Sequence, residues 1–409
     1  MHSLPTIAFA AFVAAPPLVA QAPSIRKDPP QERAPASPVK PVLALGDAGM
    51  ARAALARTKP KAAAAILLGV EWLVAHQNKD GRWDSDGFVA HDGDSPSGGP
   101  GNPTQDVAVT GLAVLALARE GRAPADDPRR EPLLRAVHWL VEQQEDNGRL
   151  GPATVHDFVY GHAIGAFALC AAVAATDSDE ARGAAQNALA HLEAHRNPFG
   201  VWRYQPRDND NDSSVTTWAT MALLAGAEVG IAPPARALQQ VATWFDLVTD
   251  EGGRAGYTKR GEASSRQVRT AGQFPPDRGE AMTAAALWCR SALGQNATGN
   301  PVIAAGAKLL LGKPPRWDPA SGDVDYCYWL FGTEAMRRLG GADRDAWNDE
   351  LLAAILPGQR TDATAAGSWD PVDPWGGDGG RLYSTALAVM ALQGLYALND
   401  TSKADAEPR

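Results

Sequence analysis

Two kinds of apolar segment alternate along the chain from residue 61 to residue 398. Segments of the first kind carry apolar residues at helical spacing and one charged face, which is typical of an amphipathic helix. Segments of the second kind, such as 107–118 and 216–225, are rich in alanine and apolar almost all round. A helix of that composition is buried on both sides. Sustained alternation with a period of two, the pattern of a half-buried strand, is missing. The sequence therefore predicts an all-α fold.

The segments form six pairs, each with an amphipathic helix followed by an apolar one. The amphipathic helices are predicted at 61–77, 131–145, 180–195, 234–248, 301–311 and 344–356. The apolar helices are predicted at 106–119, 160–175, 213–229, 278–293, 325–339 and 381–398. An open helical array would need polar capping repeats at its ends, and neither end here has that character. We therefore expect a closed α6/α6 toroid, a double barrel of six helical hairpins.

A short signature with a glycine turn joins the two helices of each pair. In the first copy, Trp72-Leu73 leads to Gln77, Gly81 and Trp83. Weaker copies follow at 139–150, 191–202, 244–255, 315–318 and 367–370. A unit that recurs every ~45–65 residues indicates a repeat architecture.

The spacing Trp-Leu-x3-Gln-x3-Gly-x-Trp in residues 72–83 resembles the repeat shared by squalene-type triterpene cyclases and protein prenyltransferase β-subunits. The resemblance covers about 61–398 and implies a toroid of the terpenoid cyclase/protein prenyltransferase type. In that family Gln77 and Trp83 would be structural and would tie outer helices to the neighbouring inner helix. The length leaves room for one toroid, so the chain resembles a single-toroid, exported relative.

The two ends of the chain differ from this repeat region. Residues 1–22 are predicted to be an export signal, because an apolar core precedes small residues that could be cleaved. Residues 23–60 are predicted to be a Pro/Ala-rich linker and residues 399–409 a disordered tail. We expect an exported protein, periplasmic or extracellular. No later segment has the ~20 uninterrupted apolar residues of a membrane span.

Charge and cysteine content limit the classes of partner and the covalent links that the chain is expected to have. The net charge is −9 without a basic run, which argues against nucleic acid, since binding to its backbone needs clustered Lys and Arg. The three cysteines are odd in number and widely spaced, which does not indicate a disulfide framework. The expected partner is a small hydrophobic or amphipathic ligand.

In such a toroid the first turns of the inner helices converge on one mouth, where a concave site is expected. Four acidic residues at these turns are candidate catalytic groups: Asp210, Asp212, Glu280 and Asp325. Nine further residues are candidate ligand-binding groups: His156, Tyr160, His162, Trp218, Arg278, Tyr328, Trp329, Arg381 and Tyr383. The helix N-termini and the two arginines favour a polar or anionic head at the rim. Alternatively, the polar residues are helix caps and rim partners.

The resemblance implies two chemical sites, and both are incomplete. Cyclases protonate an alkene with Asp-x-Asp-Asp; the nearest match is Asn209-Asp-Asn-Asp212, in which Asn211 takes the proton-donating position. Prenyltransferases bind zinc through Asp-x-Cys and a histidine; Asp325-Tyr-Cys327 matches the first part, but Ser384 takes the histidine position. Two ligands do not make a zinc site. We expect no metal and no other cofactor.

Three functions remain open. The first is a terpenoid-cyclase-like protein that binds or transforms an isoprenoid-like ligand, for which an apolar, aromatic-lined cavity would be evidence. The second is a polysaccharide-acting lyase or hydrolase with an open polar groove. The third is a non-catalytic binding or scaffold module with a shallow, plugged mouth.

Overall fold

A computed structural model describes residues 41–43, 48–155, 158–267 and 270–396. Within these ranges the chain forms thirteen α-helices and no β-strand, which confirms the all-α prediction. The helices are α1 Ala48–Thr58, α2 Pro60–Ala75, α3 Asp106–Ala118, α4 Arg130–Glu142, α5 Phe158–Thr176, α6 Asp179–His195, α7 Ser213–Glu228, α8 Ala235–Val248, α9 Ala281–Ala292, α10 Pro301–Gly312, α11 Tyr326–Leu339, α12 Gly341–Ile355 and α13 Gly376–Gln393.

The helices α3, α5, α7, α9, α11 and α13 form an inner ring in which each packs against the next, and α13 packs against α3 to close it. The helices α2, α4, α6, α8, α10 and α12 lie outside this ring, each against the inner helix of its own pair or of the preceding one. This is the predicted toroid of six hairpins. All inner helices run in the same direction, so their N-termini share one end of the ring, the mouth, and their C-termini share the other end, the base.

Glycine is required at two kinds of position. Gly81, in the first turn, has a φ of 100°, and a Cβ there would meet the carbonyl oxygen of Arg135 at 2.2 Å. Gly111 lies in the contact between α3 and α5, where a Cβ would meet Cγ2 of Ile164 at 2.9 Å and the backbone nitrogen of Gly165 at 3.2 Å. Small residues thus let the turn approach the next outer helix and let the inner helices approach one another.

The glutamine of the repeat signature connects neighbouring hairpins. Nε2 of Gln77 donates to the carbonyl oxygens of Gly81, at 2.7 Å, and Pro132, at 2.9 Å. Gln359, in the last repeat, donates in the same way to the carbonyl oxygen of Ala65 at 2.9 Å, across the closure of the ring. Because Pro132 and Ala65 belong to α4 and α2, the glutamine ties its turn to the next outer helix. The expected tie to an inner helix is wrong for this side chain.

The tryptophan of the signature makes the tie to the inner helix. The side chain of Trp83 is fully buried and its Nε1 donates to the carbonyl oxygen of Leu73 at 2.7 Å. Its backbone N–H donates to Oγ1 of Thr110 on α3 at 2.9 Å. The indole groups of Trp202 and Trp369 bond in the same way to the ends of α6 and α12. These three residues hold their turns at the mouth in one conformation.

The base is covered by residues from the predicted linker. The backbone N–H groups of Val42 and Leu43 both donate to the carboxylate of Glu228, at the end of α7. Nη2 of Arg338, at the end of α11, donates to the carbonyl oxygen of Pro41 at 2.8 Å. Helix α1 follows and packs on α2. The predicted signal, most of the linker and the tail lie outside the described residues, so those boundaries stay predictions.

One described helix, α5, is long and apolar enough to cross a membrane. It is an inner helix of the ring with most of its residues buried, and a buried core helix passes the same test. This is weak evidence for a span.

Candidate functional site

The inner ring encloses a cavity of about 380 Å³ at the mouth end. Its deeper wall is apolar and consists of Ala108, Val109, Leu112, Ile164, Trp218, Ala281, Met282 and Phe331. Its polar wall includes Gln105, Tyr160, Tyr204, Ser214, Tyr257, Ser264, Ser265, Arg266, Gln267, Cys327, Asp378 and Tyr383. The rings of Trp218 and Phe331 lie 5.3 Å apart between centroids and face the cavity from α7 and α11. Every inner helix contributes to this wall through its N-terminal half.

Asp212 begins α7 and is completely buried. Its Oδ1 accepts hydrogen bonds from the backbone N–H of Val215 at 2.8 Å and from Oγ of Ser214 at 3.0 Å. Its Oδ2 accepts from the hydroxyl of Tyr257 at 3.3 Å and lies 3.7 Å from Nε of Arg203. Burial raises the pKa of Asp212 from 3.8 to about 6, because these partners offset only part of the lost hydration.

Hydrogen-bonded hydroxyl groups connect the carboxyl group of Asp212 to the cavity surface. The hydroxyl of Tyr160, on α5, bonds to Oγ of Ser214, and the hydroxyl of Tyr204 bonds to that of Tyr257 at 2.6 Å. All four of these residues line the cavity. We name Asp212, Ser214, Tyr160, Tyr204 and Tyr257 the Asp212 cluster.

A second buried carboxyl group, Asp373, belongs to the loop before α13. Its Oδ2 accepts from the hydroxyl of Tyr383 at 3.0 Å and from the backbone N–H of Tyr326 at 3.3 Å. Its Oδ1 accepts from the backbone N–H of Trp375 at 3.2 Å. Burial, together with the negative charge of Asp325, raises the pKa of Asp373 from 3.8 to about 7. The sequence analysis missed this residue, because it follows no repeat or motif.

Tyr383 is the part of this second group that reaches the cavity, and Sγ of Cys327 lies 3.2 Å from its hydroxyl oxygen. Asp325 lies behind them as the N-cap of α11, where its Oδ1 accepts from the backbone N–H of Tyr328 at 2.9 Å. Its Oδ2 is held by Nη2 of Arg266 at 2.8 Å. Asp325 is therefore a cap and an ion-pair partner rather than a group of the cavity wall.

Two further candidate acids are also used within the fold. Glu280 is buried and pairs with Arg254 at 2.7 Å and with Lys313 at 2.8 Å, outside the cavity wall. Asp210 pairs with Nη1 of Arg203 at 2.5 Å in the turn before α7. Both make charge-assisted hydrogen bonds with basic side chains. Of the four candidate acids, Asp212 bonds to hydroxyl groups of the wall and Asp325 bonds to the guanidinium group of Arg266, whereas Glu280 and Asp210 pair with basic side chains outside the wall.

His162 is a structural tie and not part of the cavity wall. It is fully buried; its Nδ1 accepts from the backbone N–H of Leu150 and its Nε2 bonds to the carbonyl oxygen of Ala188, both at 3.1 Å. Burial lowers the pKa of His162 from 6.5 to about 3, so it is neutral at ordinary pH. It takes the place that Thr110 has in the first repeat. The other candidate histidine, His156, lies outside the described residues.

Neither candidate arginine faces the cavity. Arg278 is exposed and lies 3.5 Å from a carboxylate oxygen of Asp323. Arg381 is buried and donates to the carbonyl oxygens of Ser97 and Gly98, both at 2.9 Å. It therefore anchors the loop between α2 and α3 on α13. A polar or anionic head group of a ligand in the cavity, as the sequence predicts, would therefore not meet either arginine.

Two of the candidate aromatic residues face outward. The hydroxyl of Tyr328 donates to the carbonyl oxygen of Lys313 at 2.8 Å, next to the outer helix α10. Trp329 is fully buried but does not line the cavity. Residues four apart share one face of a helix, so α11 presents Cys327 and Phe331 to the cavity instead. Tyr328 and Trp329 support the fold, contrary to the prediction that they bind a ligand.

Three acidic side chains form a cluster in the first turn at the mouth. Carboxylate oxygens of Asp84, Asp86 and Asp106 lie within 4.8 Å of one another. Arg82 pairs with Asp84 at 2.9 Å and with Asp106 at 3.0 Å, so part of the negative charge is compensated.

Ser384, which takes the histidine position of the prenyltransferase zinc site, donates to the carbonyl oxygen of Trp369 and is completely buried. The absence of a metal or cofactor stays a prediction.

No protein-family model matches the chain, and no curated protein matches it in sequence. Its structure is similar to that of a variant of the type II terpene cyclase MstE from Scytonema in complex with the substrate geranylgeranyl dihydroxybenzoate. The identity is 16%, the TM-score is 0.51, and the match covers 82% of this chain and 98% of that one.

Two carbohydrate-acting enzymes have similar structures. An inactive variant of the α-1,6-mannanase GH76A from Salegentibacter, in complex with α-1,6-mannotriose, has a TM-score of 0.56 at 10% identity, covering 81% of this chain and 98% of that one. An α-amylase from Clostridium perfringens has a TM-score of 0.51 at 12% identity, covering 81% and 97%. At these identities the likeness shows the fold. The chain is an α/α-toroid protein.

Proposed function

We propose that this toroid binds a hydrophobic or amphipathic small molecule of isoprenoid type in its central cavity. The observation that carries the proposal is the wall itself: an apolar, aromatic floor under a rim of hydroxyl, amide and a few charged groups. That combination is typical of sites for small organic ligands. The fold that the chain shares with a terpene cyclase in complex with a prenylated substrate supports the same reading.

The size of the cavity limits the ligand. A water molecule has ~30 Å³ in the liquid, so a cavity of about 380 Å³ has room for roughly a dozen groups of that size. A methylene group is similar in volume, which suits a ligand of roughly ten to fifteen carbon atoms. We therefore expect a ligand of about the length of a sesquiterpenoid.

The chemistry available at this wall is proton exchange. Asp373 gains and loses a proton near neutral pH, and its partner Tyr383 faces the cavity, which is the arrangement of a general acid or base acting through a hydroxyl group. A raised pKa keeps the proton bound but makes the acid weaker. Asn211 takes the position of the proton donor in the cyclase motif, and an amide cannot supply that proton. Its side chain is buried and accepts from the backbone N–H of Val201 at 2.8 Å. The proposal therefore rests on ligand binding and not on the protonation of an alkene.

Two alternatives are less well supported. Most glycoside hydrolases place two carboxyl groups beside the scissile bond. Among the described residues that line the cavity, Asp378 is the one carboxylate, and it accepts from Nε2 of Gln267 at 2.5 Å. A scaffold module would be favoured by a shallow mouth, whereas this mouth leads to a cavity with contributions from all six inner helices.

Titration calorimetry with two probes tests the proposal. We expect farnesol, a C15 isoprenoid alcohol, to bind and α-1,6-mannotriose not to bind. Ala108→Trp and Ala281→Phe place bulk in the cavity from α3 and α9, so each should abolish farnesol binding in a folded protein. Ala64→Trp, on the exposed face of α2, is the matched control and should leave binding unchanged. Failure of farnesol to bind, or binding of mannotriose in its place, would contradict the proposal.

We also propose that residues 1–22 direct export of the chain, on the evidence of their apolar core alone. Expression of the full chain in a secreting host, followed by mass spectrometry of the exported product, tests this. Removal of about 22 residues is expected, and recovery of the uncleaved chain inside the cells would contradict it.

A further inference from the structure

We infer that the polar end of the ligand is a neutral alcohol that donates its hydrogen bond to the Asp212 cluster. This inference rests on the proposed function and names the class of ligand. It follows from the direction in which hydroxyl protons point within the cluster, and that direction is set by the buried carboxylate.

The first branch of the cluster runs through Ser214. A hydroxyl group has one proton to donate and two lone pairs. The carboxylate of Asp212 has no proton when ionised, so Ser214 must donate in the 3.0 Å bond between them. Ser214 then has no proton left for its bond with Tyr160, and Tyr160 must be the donor in that bond. The oxygen of Tyr160 keeps lone pairs only.

The second branch runs through Tyr257 and has the same polarity. Tyr257 must donate to Asp212 in the 3.3 Å bond. In the 2.6 Å bond between the two phenol groups, Tyr204 must therefore be the donor. All four hydroxyl protons are thus directed toward Asp212. The cluster presents hydrogen-bond acceptors to the cavity, and a ligand group that meets it must be a donor.

This polarity excludes an anionic head at the cluster. A phosphate or carboxylate would find acceptors there and the negative charge of Asp212 behind them. Among the described residues of the wall, Arg266 is the one basic side chain, and Asp325 holds it at 2.8 Å. The sequence favours a polar or anionic head at the rim, with Arg278 and Arg381 as partners, but neither arginine lines the cavity. A hydroxyl group satisfies the cluster without a counter-charge.

The position of the cluster along the inner helices, one turn above the apolar wall, suits an amphipathic ligand. Tyr160 and Ile164 are four residues apart on α5, and Ser214 and Trp218 are four residues apart on α7. Residues with this spacing share one helix face, one turn apart. A hydroxyl group at Tyr160 therefore leads directly to an apolar chain against Ile164 and Trp218, one turn deeper in the cavity.

A matched pair of probes tests the donor requirement. Farnesol and farnesyl methyl ether share the C15 chain, but the ether has no proton to donate. At pH 8, where Asp212 is ionised, we expect farnesol to bind about three- to tenfold more tightly than the ether, the range for one neutral hydrogen bond. Tyr160→Phe removes the outer acceptor of the first branch and should lower the ratio. Farnesyl diphosphate should bind more weakly than farnesol.

The control makes the same chemical change outside the cavity. Tyr328→Phe removes a buried hydroxyl group that bonds to the outer helix region, and it should leave the ratio as in the unaltered chain. Equal affinity for farnesol and the ether, an unchanged ratio in Tyr160→Phe, or tighter binding of the diphosphate would overturn the inference while the proposed function stands. If none of the three probes binds, the proposed function itself fails.

Protonation of Asp212 at acidic pH should reverse the direction of the hydrogen bonds along one branch of the cluster. Besides its direct hydroxyl partners, Ser214 on α7 and Tyr257 in the segment before α9, Asp212 faces Arg203, which also pairs with Asp210. When Asp212 takes up a proton, that proton is directed outward along one branch, and one tyrosine proton becomes available to the ligand. We expect the ether to gain affinity at pH 5 relative to pH 8, so that the ratio falls. A ratio that does not change with pH in the unaltered chain would contradict this direction.

Discussion

The mouth and the base of the inner ring both bury carboxyl groups, but they place them among different partners. At the mouth, Asp212 and Asp373 lie among hydroxyl and backbone N–H groups, and burial raises their pKa values to about 6 and about 7. At the base, Glu334 is equally buried but pairs with Arg119 and with Arg337, the latter at 2.6 Å. Despite its burial, these guanidinium groups lower the pKa of Glu334 from 4.5 to about 2.

The partners decide this difference, and the helix dipoles do not. The mouth holds the N-terminal ends of the inner helices, whose partial positive charge stabilises anions, and the base holds their C-terminal ends, which have the opposite effect. Dipoles alone would therefore lower the pKa values at the mouth and raise those at the base. For Asp212, Asp373 and Glu334 the observed order is the reverse, because the arginines around Glu334 supply full charges and the hydroxyl groups at the mouth do not. Glu228, at the base but bonded mainly to backbone N–H groups, has a pKa that burial raises.

The comparison separates a structural end from a reactive one. A fully paired carboxylate remains charged over the whole neutral range and cannot exchange protons there. Carboxyl groups with strongly raised pKa values beside a cavity make this end the candidate for a functional site. The base thus holds the ring together under the N-terminal segment, and the mouth keeps groups whose charge can change.

The largest expected effect is at the base. Glu334→Gln leaves the buried Arg337 and Arg338 and the partly buried Arg119 with less negative charge, and breaking a buried pair in this way costs about 3–5 kcal/mol. We expect that loss in the free energy of unfolding, measured by urea denaturation at pH 7.

The matched control is a surface pair in an outer helix. Glu131→Gln, whose partner Arg135 lies four residues away with the glutamate 72% exposed, should cost less than about 1 kcal/mol. A Glu334→Gln protein as stable as this control would show that the base is no more tightly held than the surface.

The second effect concerns the mouth and depends on pH. Because the pKa of Asp373 is raised, its stabilising contribution is present below its unfolded value of 3.8 and is lost as the pH rises through about 7. Asp373→Asn removes that loss. Relative to the unaltered chain, the variant should therefore gain about 2–3 kcal/mol between pH 5 and pH 8, for about two pKa units at ~1.4 kcal/mol each.

The difference between the unfolding free energies of the variant and the unaltered chain, taken at each pH, isolates this effect from the titration of histidines elsewhere. Asp362→Asn, which removes an exposed partner of Arg360, provides the control, and its difference from the unaltered chain should stay flat over the same range. A flat difference for Asp373→Asn as well would show that Asp373 does not titrate in this window.

The fold could be predicted because it depends on information that is repeated along the chain. Six copies of an amphipathic and an apolar helix fix the number of hairpins, and small residues such as Gly111 fix which helices lie inside. The signature in 72–83 marks the turn that holds each pair. Errors in one copy do not matter when the others agree.

The site could be predicted only in part, because it depends on single residues. Tyr160, Trp218 and Tyr383 lie in the wall as expected, since an inner helix must direct its first turns toward the mouth. The sequence does not show which face of α11 points inward, so Tyr328 was misassigned. Asp373 lies in a loop without periodicity, and only tertiary packing brings it under α13.

The smallest expected effect is at the contact between the base and the N-terminal segment. The carboxylate of Glu228 accepts the N–H groups of Val42 and Leu43, and Glu228→Gln keeps one oxygen as an acceptor but loses the charge. We expect a loss of about 1 kcal/mol in unfolding free energy, typical of one weakened buried hydrogen bond. Farnesol affinity should not change, because Glu228 belongs to the end of α7 and the cavity is lined by its beginning. Calorimetry on the same preparation checks this second part. A loss of farnesol affinity with little change in stability would mean that the N-terminal segment shapes the cavity, and the division between a structural base and a reactive mouth would no longer hold.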